Sequence, residues 1–433
     1  MTKRSERVAY LVLFVGTVAL ALVVSAALGR FAQPEHWEYS AIARNVLAGR
    51  GWYYNYGAIG GFPYHFYGPP LYPAILVIAM WLGSWGEALV LVLQALALAA
   101  TAMIVARLTR PIAGPIAALV AGALVATHPG ALIYVGKLHS QTLDTLLIAL
   151  AFLLVLDVDG DTDAWAALRC GVVAGLAVLS RGALATFFAA WAVWLLWHER
   201  RRWPRALRAV LVVALGGVVV ILPVIVRGYL FYGRVIPLRT DTGINLWYGN
   251  HPGASGTSYT SDPSPIPVIT QIPSDLKSAL VGRHEVAQNE LFMTAAIRFM
   301  RDDPGAALHL FARKLYYFWW FSPHAGLRYP AGWRTAGMAH YVVIALAAAA
   351  GLVAALRSKR PAARRAAGLF LLLAVTTSVT QAAFYVEGRH RWQIELLLLA
   401  FTAVWVTFRS FRVPPELSDA TTRPAAMHEG RID

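Results

Sequence analysis

Cysteine is almost missing from this chain of 433 residues, with Cys170 the single one. That excludes a disulfide scaffold and leaves thiol chemistry without support. Charge is scarce as well: 14% of residues, against about 25% in a soluble domain. There is no phosphate-binding glycine loop, no HExxH, no CxxC and no serine-nucleophile motif, so nucleotide hydrolysis has no support either. No internal repeat or low-complexity segment is apparent. Acidic residues are outnumbered, 23 against 38 Lys and Arg, for a net charge of +15. What fills the chain is apolar: 58% hydrophobic residues and a mean hydropathy of +0.54. So apolar a chain cannot cover a soluble surface with polar groups, and it reads as an integral membrane protein. The basic excess falls mostly in short clusters between apolar stretches, which is a topology code rather than a sign of nucleic-acid binding.

Residues 8–29 carry no charge and follow Lys3, Arg4 and Arg7. About 20 apolar residues suffice to cross a bilayer as a helix. Further spans are expected near 88–106, 112–128, 140–156, 164–180, 182–198, 208–226, 336–356, 366–386 and 393–409. A signal peptide is the competing reading of 8–29, but no small-residue cleavage site follows it. Basic clusters alternate with the spans: Arg107/Arg110, Arg200–Arg202 with Arg205, Arg357–Arg365, and Arg409/Arg412. All fall on one side if there are ten spans and both termini are cytoplasmic. Residues 69–86 are apolar enough to span, yet crossing would invert every later loop. They are read as an interfacial or re-entrant helix, which puts the two long polar segments, 30–68 and 227–335, outside.

Four regions follow. Residues 1–226 form an N-terminal transmembrane module with a first outer catalytic loop (30–68) and an interfacial helix (69–86). Residues 227–335 are outer-face loops and helices, 336–412 are C-terminal transmembrane helices, and 413–433 are a cytoplasmic tail expected to be disordered. In the first outer loop, EHWEYSAIARNVLAGRGW reads as a short amphipathic helix with Ile42, Val46 and Leu47 on one side, ended by Gly49 and Gly51. Glu35, His36 and Glu38 stand at its start. Capping of the helix dipole is the plain role for such carboxylates; the functional one is a general base at the membrane surface. Gly60-Gly61 and Pro69-Pro70 break regular structure. In the second segment, turns are expected at Gly243, Asn250–Gly253 and Gly256. The Pro/Ser-rich stretch from Ser261 to Ser274 reads as a mobile loop, and 284–303 as a helix with Val286, Leu291, Ala295 and Phe299 inward. A second helix, 304–321, is expected to lie along the interface.

Lys137, His139, Arg181, Arg227, Arg239, Arg313, Lys314, Arg389 and Arg391 all fall near the outer ends of spans, against the positive-inside trend. Either they pair with Asp144, Asp241 or Glu387 or with headgroups, or they form a site for a phosphate or pyrophosphate, which the guanidinium fork matches. Asp144 lies inside a span, two helical turns from Lys137, and an intramembrane carboxylate needs a partner. His65, His251 and His324 are scattered loop histidines that leave a zinc site open.

Five stretches carry a family resemblance. They are Glu35-x-x-x-Tyr39-x-x-x-Ala43-x-Asn45-x-x-x-Gly49-x-Gly51, Pro69-Pro70-Leu71-Tyr72-Pro73, Leu179-Ser180-Arg181-Gly182, Arg227-x-x-x-x-Tyr232-Gly233 followed by Gly243-x-Asn245-Leu246-x-x-Gly249-Asn250, and Glu387-Gly388-Arg389-His390-Arg391. In this order the chain resembles the membrane-embedded GT-C glycosyltransferases, nearest the aminoarabinose-transferase and protein-mannosyltransferase-like group (glycosyltransferase family 39 type). The resemblance implies an all-α polytopic membrane protein: a GT-C-type bundle of about ten transmembrane helices, with interfacial helices and an outer-face loop region. It also implies a glycosyltransferase that moves a sugar from a polyprenyl-phosphate-linked donor to a lipid, glycan or protein acceptor at the outer face of the cytoplasmic membrane.

By the same resemblance Glu35 takes the place of the family's catalytic Asp, with Glu38 a competitor. Lys137, Arg181, Arg227, Arg389 and Arg391 would bind the donor phosphate. Tyr39, His139, Asn245 and Asn250 would orient substrate. No cofactor is certain and a divalent metal is possible; no metal ligand is assigned. Membrane lipids are expected partners and nucleic acid is not. Glu in place of the usual Asp reaches about one methylene further, and Tyr67-Gly68 stand where the aminoarabinose branch has Glu-Lys. Two other classes compete: a transporter or flippase of lipid-linked sugar, which would place polar groups near the midplane, and a non-catalytic protein on the same fold.

Overall fold

The computed structural model describes residues 2–55, 63–83, 85–262, 264–324 and 331–410. Gly60-Gly61, Arg412 and the tail 413–433 lie outside the described residues. Each of the ten expected spans is a helix: α1 (Lys3–Ala27), α4 (Trp85–Ala113), α5 (Pro115–Ala126), α7 (Gln141–Asp157), α8 (Ala164–Ser180), α9 (Ala185–His198), α10 (Trp203–Tyr232), α15 (Ala331–Leu356), α16 (Pro361–Ala383) and α17 (Gly388–Ser410). Between them run α2 (Glu38–Leu47), α3 (Leu71–Met80), α6 (Pro129–Val135), α11 (Thr242–Tyr248), α12 (Ser274–Leu280), α13 (Glu285–Asp302) and α14 (Pro304–Trp319). Five helices are long and apolar enough by themselves to cross a membrane: α1, α4, α10, α15 and α16. Helices α5 and α6 reach that length and apolarity together, as a pair bent by 53°. The chain is an all-α polytopic membrane protein.

Helix α3 has ten residues, about 15 Å at 1.5 Å per residue, half of a hydrocarbon core about 30 Å thick. It cannot cross. Its Tyr72 hydroxyl donates to Gln94 Oε1 on α4 at 2.9 Å. Gln94 Nε2 in turn donates to the carbonyls of Val135 and Lys137 at 2.8 and 2.9 Å.

The bundle has two distinct ends. At one, Glu6 near the start of α1 holds Arg110 near the end of α4, Asp161 holds Arg202 and Arg205, and Arg360 and Arg365 donate to the carbonyls of Ile112 and Val158. The basic clusters gather there, as their alternation with the spans requires. At the other end lie both long polar segments.

Two pairs of very short strands stitch that second end. Strand β1 (Glu35–His36) runs parallel to β4 (Lys137–Leu138), with Glu35 opposite Lys137. Strand β2 (Tyr54–Asn55) is antiparallel to β3 (Pro63–Tyr64). The polar segment after α10 has a small core of its own, with Ile244, Trp247, Val268, Leu280 and Phe292 buried. The stretch expected to be a mobile loop belongs to that core. Tyr259 bridges Pro267, the Val268 N–H donates to Ser258 O, and Val268 and Ile269 are buried. Along α13 Val286 is buried as expected; Phe292 and Ala296 are buried too, and Leu291 and Ala295 pack at the margin of the core.

Gly243 lies inside helix α11 rather than at a turn. A Cβ there would come within 2.0 Å of the Asn289 carbonyl, and one on Gly249 within 1.8 Å of the Phe384 carbonyl. Gly243 is a close-approach point between α11 and α13 within the outer layer, and Gly249 is one where that layer touches the bundle at the end of α16. Gly249→Ala is expected to lower stability by about 1–3 kcal/mol or more, read as a lower melting temperature of the purified chain.

Candidate active site

The parallel register of β1 and β4 brings Glu35 onto Lys137. Lys137 Nζ lies 2.9 Å from Glu35 Oε1, and Arg30 lies 3.2 Å from Oε2. Trp37 Nε1 donates to Oε1 at 3.3 Å. Glu35 and His36 therefore precede helix α2, and only Glu38 falls in its first turn. Lys137 is 4% exposed, and Tyr134 adds its ring face 5.0 Å from the ammonium.

Helix α2 buries Tyr39, Ser40, Ile42 and Ala43, so Glu38 stands half-buried at the rim. Among the described residues no cation comes within ion-pair distance of its carboxylate. Burial raises its pKa above the usual 4.5, with Asp241 pushing the same way and Arg389 and Arg239 opposing. Folding therefore favours protonated Glu38. Its contribution to stability is full below the unfolded pKa and is lost as pH rises through the folded pKa. Glu38→Gln is expected to raise the melting temperature at pH above that range and to leave it unchanged near pH 4. Unaltered melting across the pH range would show that the carboxylate feels no such environment.

The arginines come with acids. Arg181, at the end of α8, reaches Asp144 at 3.6 Å. Asp144 also accepts from Ser180, from Ser140 at 3.1 Å and from Gln393 at 3.2 Å. Arg239 pairs with Asp241, and Arg389 with Glu387, which also accepts from Ser258. All three acids are those available to these cations in the sequence. With Arg30, Lys137, Glu35 and Glu38 the rim carries five cations against five carboxylates. A guanidinium has five N–H donors and keeps several free after serving one carboxylate, so the arginines can still hold an incoming anion.

His139 sits among these groups, its ring edge-on to Trp37, Tyr134 and Tyr39 at 4.9, 5.3 and 5.5 Å. Burial, then Arg389, Arg181 and Lys137, hold its pKa well below 6.5. The imidazole is thus neutral at pH 7. Its Nδ1 accepts from the Gln141 N–H at 3.0 Å, which leaves Nε2–H as the donor. Burial, then Glu38 and Asp144, raise the Tyr39 pKa, so that phenol stays protonated. Arg389 lies over the Trp37 ring at 5.3 Å.

Glu35, Glu38, Tyr39, Lys137, His139, Arg181 and Arg389 are therefore neighbours at one rim. The other expected residues are engaged elsewhere. Arg227 donates to the His65 carbonyl at 3.1 Å and stacks on Phe66 at 4.1 Å. Arg391 is buried against Glu395 (2.9 Å) and lies over Tyr341 at 3.8 Å. Asn250 donates to the carbonyls of Leu246 and Ala383 and accepts from buried Lys314 at 2.9 Å. Asn245 is half-buried on α11. Arg227 and Asn250 satisfy backbone carbonyls, and Arg391 neutralises buried Glu395, groups that would otherwise be left unpaired. Arg239, noted in the sequence only as an outward cation, joins the rim instead. So does buried Asp241, whose signal was the pairing alternative itself. Among the described residues no group of three or more His, Cys, Asp or Glu could hold a metal ion.

Residues 67–226 match the family model described as dolichyl-phosphate-mannose-protein mannosyltransferase. No curated protein matches the chain in sequence. Among solved structures, the oligosaccharyltransferase of Archaeoglobus fulgidus tethered to an acceptor peptide with the NVT sequon aligns at TM-score 0.53 and 15% identity, over 92% of this chain and 49% of that one. The oligosaccharyltransferase AglB from Archaeoglobus fulgidus, in complex with an inhibitory peptide and a dolichol-phosphate, aligns at TM-score 0.50 and 16% identity, over 91% and 50%. ArnT from Cupriavidus metallidurans in the apo state aligns at TM-score 0.38 and 17% identity, over 92% and 78%. The chain spans about half the length of the archaeal oligosaccharyltransferases it matches. At these identities the likeness is one of fold. This chain therefore has the GT-C fold over about nine-tenths of its length and matches the mannosyltransferase family pattern over residues 67–226.

Proposed function

We propose that the chain transfers a sugar from a polyprenyl-phosphate donor to a hydroxyl of a lipid, glycan or protein acceptor, at the outer face of a cytoplasmic membrane with both termini inside. The observation that carries this is the meeting of Glu35, Glu38, Lys137, Arg181, Arg239 and Arg389 at one rim of the bundle. The position of this rim, at the end opposite the basic clusters, supports the outer-face assignment. The dolichol-phosphate bound by AglB supports a lipid-phosphate donor.

In this reading the acceptor oxygen attacks the anomeric carbon. The bond from that carbon to the phosphate oxygen breaks, and the electron pair leaves with the lipid phosphate, with inversion. Arg181, Arg389 and Lys137 take up the charge that develops on the phosphate, so no general acid is required. The acceptor proton passes to Glu35. In the free chain Lys137 and Arg30 hold that carboxylate; a phosphate that draws Lys137 away frees Oε1 to act as base. Donor binding thereby arms the base. Glu38 and the Nε2–H of His139 orient the acceptor and sugar hydroxyls beside Tyr39. Among the described residues each rim carboxylate except Glu38 is engaged by arginine or lysine.

The test is sugar transfer by the purified chain from radiolabelled polyprenyl-phosphate sugars, with mass spectrometry of lipids and glycans from cells with and without it. Translocation of a lipid-linked sugar with no covalent product would replace this reading by the flippase one.

A further inference from the structure

The opposite end of the bundle holds a feature that glycosyl transfer does not use. A groove of about 870 Å³ opens there, lined by Lys3, Arg7 and Tyr10 of α1, Ile104 and Arg107 of α4, and Leu153 of α7, among others. It continues into a second groove of about 640 Å³ that shares Arg107, Arg110 and Leu153 and ends at Arg365. The one acid on the first groove, Glu6, is already neutralised by Arg110, at 2.7 and 3.0 Å through two separate nitrogens. Among the described residues Lys3, Arg7 and Arg107 have no ion-pair partner. Lys3, Arg7 and Arg107 are also solvent-exposed. Below them the walls turn apolar, with Met103, Ile104, Leu150 and Leu153.

A topology signal explains cations at this end, but it requires neither a shared groove nor an apolar floor beneath it. Unpaired cations at the headgroup level, above a slot lined by Met, Ile and Leu, match an amphiphile with an anionic head and an alkyl chain. We propose that this groove binds an anionic phospholipid, its phosphate between Lys3, Arg7 and Arg107 and one acyl chain along Ile104, Leu150 and Leu153. The lipid would seal α1 against α4 and α7 at the leaflet opposite the transfer site. Its function would be to hold these helices in place, independently of the sugar chemistry.

The experiment is native mass spectrometry of the full-length chain in mild detergent, titrated with phosphatidylglycerol or with phosphatidylcholine of the same acyl chains. Phosphatidylglycerol is expected to be retained at least about tenfold more tightly. Arg7→Gln with Arg107→Gln is expected to remove that preference, a loss of up to about thirtyfold at about a factor of five per cation. Arg110 is left in place because it holds Glu6, and retained elution volume and melting temperature report that the fold is kept. Leu153→Trp, which fills the apolar wall without changing charge, is expected to weaken retention of phosphatidylglycerol. Equal retention of the two lipids, or an undiminished preference in the double variant, overturns the proposal. So does displacement of the lipid by excess inorganic phosphate, which would make the site one for a small anion. If the preference appears only in a chain ending at residue 410, the tail itself occupies the groove and the lipid does not.

Discussion

Glu35→Gln is expected to lower sugar transfer by about 10²–10⁴-fold, the usual worth of a positioned base. The amide keeps the shape of the side chain and can still accept from Lys137, so insertion, folding and melting temperature should change little. Donor binding should persist as well, because the cations that would hold the phosphate remain. The variant thus separates chemistry from assembly: kcat falls, while KM for the donor stays within a few-fold. Lys137→Met should behave differently. It leaves Glu35 paired only with Arg30 and removes a phosphate contact, so KM for the donor should rise together with the loss of rate. If Glu35→Gln transfers at the full rate and Glu38→Gln does not, the proton goes to Glu38 instead. If both variants keep full activity, neither carboxylate is the base.

Glu285→Ala should have the largest effect on stability. Glu285 is fully buried and ties three segments of the outer layer together. It accepts from the backbone N–H of His65 at 2.8 Å and of Phe66 at 3.1 Å. It also accepts from the hydroxyls of Tyr232 and Thr240. Removing it strands four donors, each costing about 1–3 kcal/mol when left unsatisfied in a buried setting. A net loss of about 3–5 kcal/mol is expected, read as a lower melting temperature and as faster proteolysis within 63–68 and 233–241. Transfer should fall too, since Arg239 and Asp241 flank Thr240 directly. Glu285→Gln should recover part of both losses, because the amide oxygen still accepts. An outer layer that melts unchanged in Glu285→Ala would show that the first and second polar segments are held together by other contacts.

Glu285 also shows what sequence cannot reveal. In the chain it follows His284 at the start of a helix, where a carboxylate is unremarkable. Nothing local says that its four partners come from residues 65, 66, 232 and 240. The same holds for Lys314, which lies in an aromatic-rich stretch and reads as a headgroup contact. In the fold it is wholly buried, donating to the carbonyls of Gly249 and Phe384 and to Asn250. Arg391 resembles a substrate ligand by its place beside Arg389. Two positions along a helix rotate a side chain by about 200°, which sends Arg389 to the rim and Arg391 into the bundle.

Composition and the spacing of charges were enough to establish a membrane bundle, its ten helices and the gathering of basic loops at one end. These follow from local rules: apolar length against bilayer thickness, and the side on which cations fall. The short α3 was also foreseeable, because a crossing there would have inverted every later loop. The pairing of Glu35 with Lys137, the convergence of Arg181, Arg239 and Arg389 at one rim, and the separation of Arg227, Arg391 and Asn250 from it were decided by tertiary packing alone. Partners more than a hundred residues apart meet only where a strand register or a helix crossing brings them. In a low-dielectric interior the energy of such a meeting depends on distance and burial, which no linear pattern records.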